Sequence, residues 1–292
     1  MTPEQYCQEK AARSGSSFYY SFMFLPEQQR KAITALYAFC REVDDIVDSN
    51  IDTIIKQTKL QWWRDEISGL FNGRPQHPVS RALAPAIENY NLPQEQFEEI
   101  IDGMEMDLHN RRYDSFKELS LYCHRVASVV GLLAAEIFGY HDRKTQRYAH
   151  DLGMAFQLTN ILRDVYEDAK RNRIYLPQDE LQSFKINDSD IIEGKSSDKF
   201  IALMQFQTSR AQDYYDKAMT ELPDSDRYAQ RAGLVMARIY QATLNEIAND
   251  GYRVLQHRIK LTPMRKFWLA WKTIRQEKRR YKKWLRLNPT HI

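Results

Sequence analysis

The chain has 292 residues, 43% hydrophobic and 28% charged, enough apolar mass to bury a substantial core in one large domain or two small ones. Ten Gly and ten Pro fall below average usage, and no stretch alternates with period two for long enough to suggest a sheet, so an all-α protein is expected. Net charge is +3, but residues 261–292 carry ten Lys/Arg and one Glu, so a tail of +9 follows a body of −6; this excludes a nucleic-acid-binding core and reserves any anionic partner for the tail.

Three cysteines, Cys7, Cys40 and Cys123, form no C-x-x-C pair, so neither a disulfide framework nor a zinc site is expected and a reducing cytoplasm is. The N-terminus, Met1-Thr2-Pro3-Glu4-Gln5-Tyr6-Cys7, lacks the basic-then-apolar pattern of a signal peptide. The longest apolar stretch, Val126 to Phe138, contains Glu136 and is too short to span a membrane.

A short helix is predicted from Pro3, a favoured first helical position, to about Ser14. The next starts at Pro26-Glu27 and carries Ile33, Leu36, Phe39, Val43 and Val47 into an acidic cluster, Asp44-Asp45-Ile46-Val47-Asp48. Ile51 to Phe71 is amphipathic and closed by Asn72-Gly73-Arg74-Pro75, and helices follow at residues 79–90 and from Pro93 to about Arg111. Phe116 to Gly139 reads as one helix, apolar on most of its surface, which belongs at the centre of the molecule. Asp142 to Asp168 carries the second acidic cluster, Asn160-Ile161-Leu162-Arg163-Asp164-Val165-Tyr166-Glu167-Asp168. The polar stretch Lys185 to Lys199 is the expected mobile loop, and helices resume at residues 197–221 and 225–249. From Leu261 onward, Phe267, Trp271, Ile274, Tyr281 and Leu285 recur at helical spacing among Arg265, Lys272, Arg275, Arg279, Lys282 and Arg286. Such a basic amphipathic helix over 261–292 suits packing on the domain or contact with an anionic membrane. No internal repeat or linker divides the chain, so residues 1–292 are read as a single domain.

On a helix advancing ~100° per residue, Tyr37, Arg41, Asp44 and Asp48 fall within a stripe about 60° wide, and Gln157, Asn160, Asp164 and Asp168 within about 80°. Closely spaced carboxylates suit hard divalent cations, and Mg²⁺ prefers one or two of them together with waters and phosphate oxygens. Two such faces opposing one another could hold a diphosphate through bridging Mg²⁺, with Arg41, Arg171 and Arg173 adding direct contacts. The alternative is a pair of solvated faces on a non-catalytic helical scaffold or membrane-surface adaptor. The apolar flanks Leu152, Phe156, Ile161 and Val165, and the repetition of the pattern, count against it. A di-iron bundle needs Glu-x-x-His, which none of the seven His residues supplies; Glu105-Met106-Asp107-Leu108-His109 has the wrong spacing.

Three blocks resemble the signature motifs of the squalene/phytoene synthase family: Arg41-Glu42-Val43-Asp44-Asp45-Ile46-Val47-Asp48, Tyr122-Cys123-His124-Arg125-Val126-Ala127-Ser128-Val129-Val130-Gly131, and Gln157-Leu158-Thr159 leading into the second cluster. Arg171-Asn172-Arg173-Ile174-Tyr175-Leu176-Pro177 is a fourth match, and the similarity runs from about residue 15 to 258. The resemblance implies an all-α isoprenoid-synthase fold that joins two allylic diphosphates head to head using Mg²⁺. It implies that Asp44, Asp48, Asp164 and Asp168 hold Mg²⁺ with Asn160 and Gln157 nearby, and that Arg41 and Arg173 grip diphosphate. It further implies that Tyr37 and Tyr122 line the reaction centre, that Phe18 lies by the first substrate with Ser17 at its diphosphate, and that Tyr240 and Arg258 stand near the diphosphates. Aromatic walls suit this chemistry, because they attract an allylic cation without quenching it.

The run Phe18 to Pro26, continuing from Ala35 to Arg41, most resembles bacterial presqualene diphosphate synthases associated with hopanoid synthesis. This implies two farnesyl diphosphates as substrates and no requirement for NADPH, with NADPH-dependent squalene synthase and phytoene synthase, which takes two geranylgeranyl diphosphates, as alternatives. Tyr166 stands where many members have Gly, an exchange expected to alter the pocket wall. The expected location is the cytoplasm, with the basic tail at the inner face of the cytoplasmic membrane.

Overall fold

The computed structural model describes residues 1–13 and 21–289, and every regular element among them is helical. Helix α1 (Pro3–Arg13) opens on its proline, whose missing N–H costs nothing there. α2 (Glu27–Asp48) buries Ile33, Leu36, Phe39, Val43 and Val47, the stripe read from the sequence. α3 (Thr53–Phe71) begins at Thr53 rather than Ile51, because the Asp52 carboxylate accepts the Ile54 amide at 2.8 Å and caps the helix. α4 (Pro78–Asn89) and α5 (Gln94–His109) complete the N-terminal half.

The segment read as one central helix is instead α6 (Phe116–Cys123) and α7 (Val129–Phe138), joined by a π-helical turn over His124–Ser128. A π-turn inserts one extra residue per turn and re-aims the side chains beyond it, a device common at functional sites. The whole rod, Phe116–Phe138, exceeds the Val126–Phe138 run noted in the sequence and is long and apolar enough to cross a membrane by length and composition. Here it packs on α2, α5 and α8 (Lys144–Lys170).

That rod sits between two apolar clusters. α7 gives Val129, Leu133 and Ile137 to the cluster built from α1–α5, while α6 gives Leu119, Tyr122 and Cys123 to the cluster built from the C-terminal helices. α7 and α8 touch backbone to backbone: a Cβ on Gly131 would lie 2.6 Å from the Ala149 carbonyl oxygen, and one on Gly153 2.6 Å from Ser128 Cα. Only glycine allows that approach, and it draws the second acidic stripe toward the rod.

The remaining helices are α9 (Gln178–Ser183), α10 (Asp188–Ile192), α11 (Asp198–Glu221), α12 (Arg231–Asn249) and α13 (Pro263–Leu287). The Lys185–Lys199 stretch, expected to be a mobile loop, contains α10, opened by an Asn187–Asp190 capping box and tied down through Asp188 to Arg112 at 2.5 Å. The helix expected at 225–249 starts only at Arg231. The residues before it turn around Asp226, whose fully buried carboxylate accepts the His141 and Asp142 amides at 3.0 Å each and the Thr145 hydroxyl at 2.7 Å, anchoring the start of α8.

α13 packs on α12, with an Arg227–Glu277 ion pair at 2.9 Å and Tyr281 stacked on Tyr228 at 4.8 Å. The apolar stripe read for this helix divides: Ile274 and Tyr281 turn inward, whereas Phe267 and Trp271 remain exposed.

Candidate active site

A cavity of about 820 Å³ opens between α2, the rod, α8, α12 and the segment leading into α13. Most of the residues singled out from the sequence meet there: Tyr37, Arg41 and Asp44 from α2, Tyr122 from α6, Gln157 and Asn160 from α8, Tyr240 from α12, and Arg258. Asp48, Asp164, Asp168, Arg171 and Arg173 are not part of the lining: Asp164 pairs with Arg163 and Arg258, which are, whereas Asp48 pairs with Arg171 and Arg173, and Arg173 reaches the lining through Asp107 and the Tyr122 hydroxyl. Ser17 and Phe18 lie outside the described residues.

Each acidic stripe is neutralised by arginines. Arg41 bonds Asp44 at 2.6 Å and also pairs with Asp45, while Arg171 and Arg173 reach Asp48 at 2.9 and 3.1 Å. Asp164 takes two bidentate forks, from Arg163 at 2.9 and 2.5 Å and from Arg258 at 2.6 and 2.9 Å. Burial alone would raise the Asp164 carboxyl, but those guanidiniums hold it below the usual carboxylate range. Partial burial pushes Asp44 up to about 6 against the pull of Arg41, with Asp48, Asp45 and Asp107 adding to the rise. Burial likewise pushes Asp168 up to about 7, reinforced by Asp164 and Asp107 and opposed by Arg173 and Arg171.

Asp107 acts on both stripes, and it was not singled out as a site residue. It accepts hydrogen bonds from the hydroxyls of Tyr175 at 2.7 Å and Tyr122 at 3.2 Å, and lies 3.6 Å from Arg173. Burial, partly offset by Arg173 and the two tyrosines, raises its carboxyl. Burial and the adjacent Asp107 charge raise the Tyr122 hydroxyl well above its ordinary range, so it is a neutral donor. The neighbours of Asp107 in the mismatched di-iron pattern point elsewhere: Glu105 pairs with Arg64 at 2.8 Å and His109 meets Gln57 at 3.2 Å.

Below the polar mouth the cavity continues as an apolar tunnel of about 200 Å³, sharing Tyr37, Val126, Asn160 and Tyr240 with it. Phe156 packs on Tyr240 at 4.7 Å in its wall, and Tyr37 faces Phe22 at 6.4 Å. Deeper, Tyr148 and Gly233 approach so closely that a Cβ on Gly233 would lie 2.8 Å from the Tyr148 hydroxyl oxygen.

The donor set suits a hard cation. Asp44, Asp48, Asp164 and Asp168 offer oxygen, and the Asn160 Oδ1 is buried with no hydrogen-bond partner among the described residues, its amide nitrogen donating to Gln157 at 3.3 Å. The described residues gather no three His, Cys, Asp or Glu side chains into a closed cage. Oxygen donors split over two helices fit Mg²⁺, which keeps several waters and completes its shell with phosphate oxygens.

Arg163, Lys260 and Lys266 also line the mouth and were missed as site residues. Arg163 lies inside the second acidic cluster beside Asp164, whereas no spacing rule marks the two lysines. Tyr166, an exchange expected to alter the pocket wall, lies beneath Lys170 and so near Gly194 that a Cβ there would stand 3.4 Å from its ring, and it is absent from the lining.

The family model described as squalene/phytoene synthase matches residues 11–265. Phytoene synthase 1, chloroplastic, from Solanum lycopersicum is 39% identical over 254 residues, covering 84% of this chain, which spans 61% of that relative's length. The 15-cis-phytoene synthase of Synechococcus elongatus is 35% identical over 275 residues, covering 89% of this chain and 88% of the relative. Among solved structures, a dehydrosqualene synthase in complex with ligand superposes with a TM-score of 0.84 at 27% identity, covering 94% of this chain and 96% of that one.

Proposed function

Because this chain belongs to the squalene/phytoene synthase family, we propose that it joins two allylic prenyl diphosphates head to head. The observation that carries this reading is the pairing of two arginine-neutralised oxygen stripes, on α2 and α8, around a mouth that leads into an apolar tunnel.

A diphosphate entering the mouth competes for Arg41, Arg163, Arg173 and Arg258, which now neutralise carboxylates; Lys260 and Lys266 add charge at the rim. Asp44, Asp48 and Asp164 are thereby freed as oxygen donors, beside Asp168 and the unpartnered Asn160 Oδ1. Divalent cations bound there supply neutralisation of the charge that develops on the leaving diphosphate. The C1–O bond of one donor breaks and diphosphate leaves; its allylic carbon is taken by the 2,3-double bond of the second, and loss of a proton closes a cyclopropyl diphosphate. From this, loss of the second diphosphate, rearrangement and loss of a further proton give a phytoene-type hydrocarbon. Tyr37, Phe156 and Tyr240 place aromatic rings in the wall around the tunnel, where water is excluded and a cation is attracted rather than quenched. Asp107 holds the neutral Tyr122 phenol and Arg173 in place at the same centre.

Geranylgeranyl diphosphate is the donor best supported, because the matched relatives are named phytoene synthases. The farnesyl reading, giving presqualene diphosphate, has support of its own in the likeness to a dehydrosqualene synthase and in the close approach of Tyr148 to Gly233 in the tunnel wall. The test is incubation of purified protein with Mg²⁺ and either donor, with and without NADPH, followed by mass identification of products. Diphosphate release with a phytoene-type product from the longer donor is expected. Presqualene diphosphate from farnesyl diphosphate alone would move the assignment to the shorter donor, and squalene formed only with NADPH would make it a squalene synthase. Failure of every donor to release diphosphate would favour the scaffold or adaptor.

A further inference from the structure

α13 is held to the body on one side only. Ala270, Thr273 and Glu277 are buried against it, and three ion pairs fix its course: Arg265–Glu246 at 2.6 Å, Arg227–Glu277 at 2.9 Å and Arg280–Asp224 at 2.6 Å. The opposite face is divided along its length. In the first turns Met264, Phe267, Trp268 and Trp271 stand 84%, 49%, 51% and 43% exposed. Further along, Arg275, Lys278, Lys282 and Arg286 occupy the same sector, about 100° wide at ~100° per residue, and have no acidic partner among the described residues.

Apolar side chains of this size gathered on an outward face need an occupant. The cations decide which one: Lys272 caps the Trp268 ring and Arg275 the Trp271 ring at 4.7 Å each, so charge rims the aromatic patch. Position adds a second reason. Pro263 and Lys266, in the first turn of α13, line the mouth of the cavity, so the aromatic patch borders its opening.

We propose that this face docks the protein on an anionic lipid surface, with Met264, Phe267, Trp268 and Trp271 entering the acyl boundary and Arg275, Lys278, Lys282 and Arg286 on the headgroups. Amphipathic helices that lie in an interface combine these features. The mouth then opens beside the bilayer, whatever the length of the prenyl chain it accepts.

The full chain would be sedimented with vesicles of phosphatidylcholine, with and without phosphatidylglycerol, at low and high salt. Binding is expected only to the anionic vesicles and should weaken with salt, and brominated acyl chains should quench tryptophan fluorescence. Replacing Arg275, Lys278 and Lys282 by Gln should weaken binding by roughly fivefold for each charge removed. The combined change Phe267→Ser, Trp268→Ser and Trp271→Ser should abolish the quenching, with the melting curve checking that the fold persists. Equal partitioning of wild type and the charge variant, or equal binding to neutral vesicles, would overturn the proposal. So would a wild-type dimer that the serine variant converts to monomer without any change in vesicle binding.

Discussion

The mouth and the tunnel share six residues, Tyr37, Cys40, Val126, Gln157, Asn160 and Tyr240, but are stabilised in opposite ways. In the mouth, carboxylates and guanidiniums are held close in partly buried surroundings, where each group is tolerable only because its partner is present. The tunnel is walled by Leu36, Val130, Phe156 and Met236, where stability comes from area removed from water and every methylene of shape counts. Substitutions in the mouth should therefore cost chemistry at constant fold, and those in the tunnel should change which molecule fits.

The sharpest break is Asp164→Asn. It removes an oxygen donor and leaves the forks of Arg163 and Arg258 with a neutral amide, so diphosphate release should fall by roughly a thousandfold while the far-ultraviolet circular dichroism stays constant. Wild-type turnover would remove Asp164 from the site. Asp107→Asn keeps the volume and one acceptor but discharges the group beside Arg173; kcat should drop roughly tenfold to a hundredfold with KM moved less. Unchanged kcat with a lowered melting temperature would make Asp107 a packing residue only. The smallest effect belongs to the tunnel. Gly233→Val drives side-chain atoms toward the Tyr148 hydroxyl and should shift the ratio of products from the longer and shorter donors by roughly tenfold, at about 1–3 kcal/mol of stability. An unaltered product ratio would place the limiting wall elsewhere.

Local patterns carried much of this reading. The apolar stripe of α2 lies where its periodicity places it, and the two carboxylate stripes sit on the helices that bear them, because position on a helix face follows from the residue interval alone. Asp107 escaped notice because its role depends on Tyr122, Tyr175 and Arg173, which come from three other parts of the chain. Arg41 and Arg173, expected to grip diphosphate, pair here with Asp44 and Asp48, a pairing no interval along the chain shows for Arg173 and Asp48. The exchange of Gly for Tyr166 was expected from its motif position to alter the wall, but the Tyr166 ring lies instead beside the turn at Gly194.

What the sequence by itself determined is the helical class, the two oxygen-bearing faces and the basic amphipathic end, all consequences of short intervals along one chain. Only the tertiary structure decided that the faces surround one cavity, that Tyr148 meets Gly233 at its depth, and that the aromatics of α13 are left outside beside its mouth. Those depend on which helices pack together, and that is set by contacts between residues far apart in sequence, such as Gly131 on Ala149, which no local period encodes.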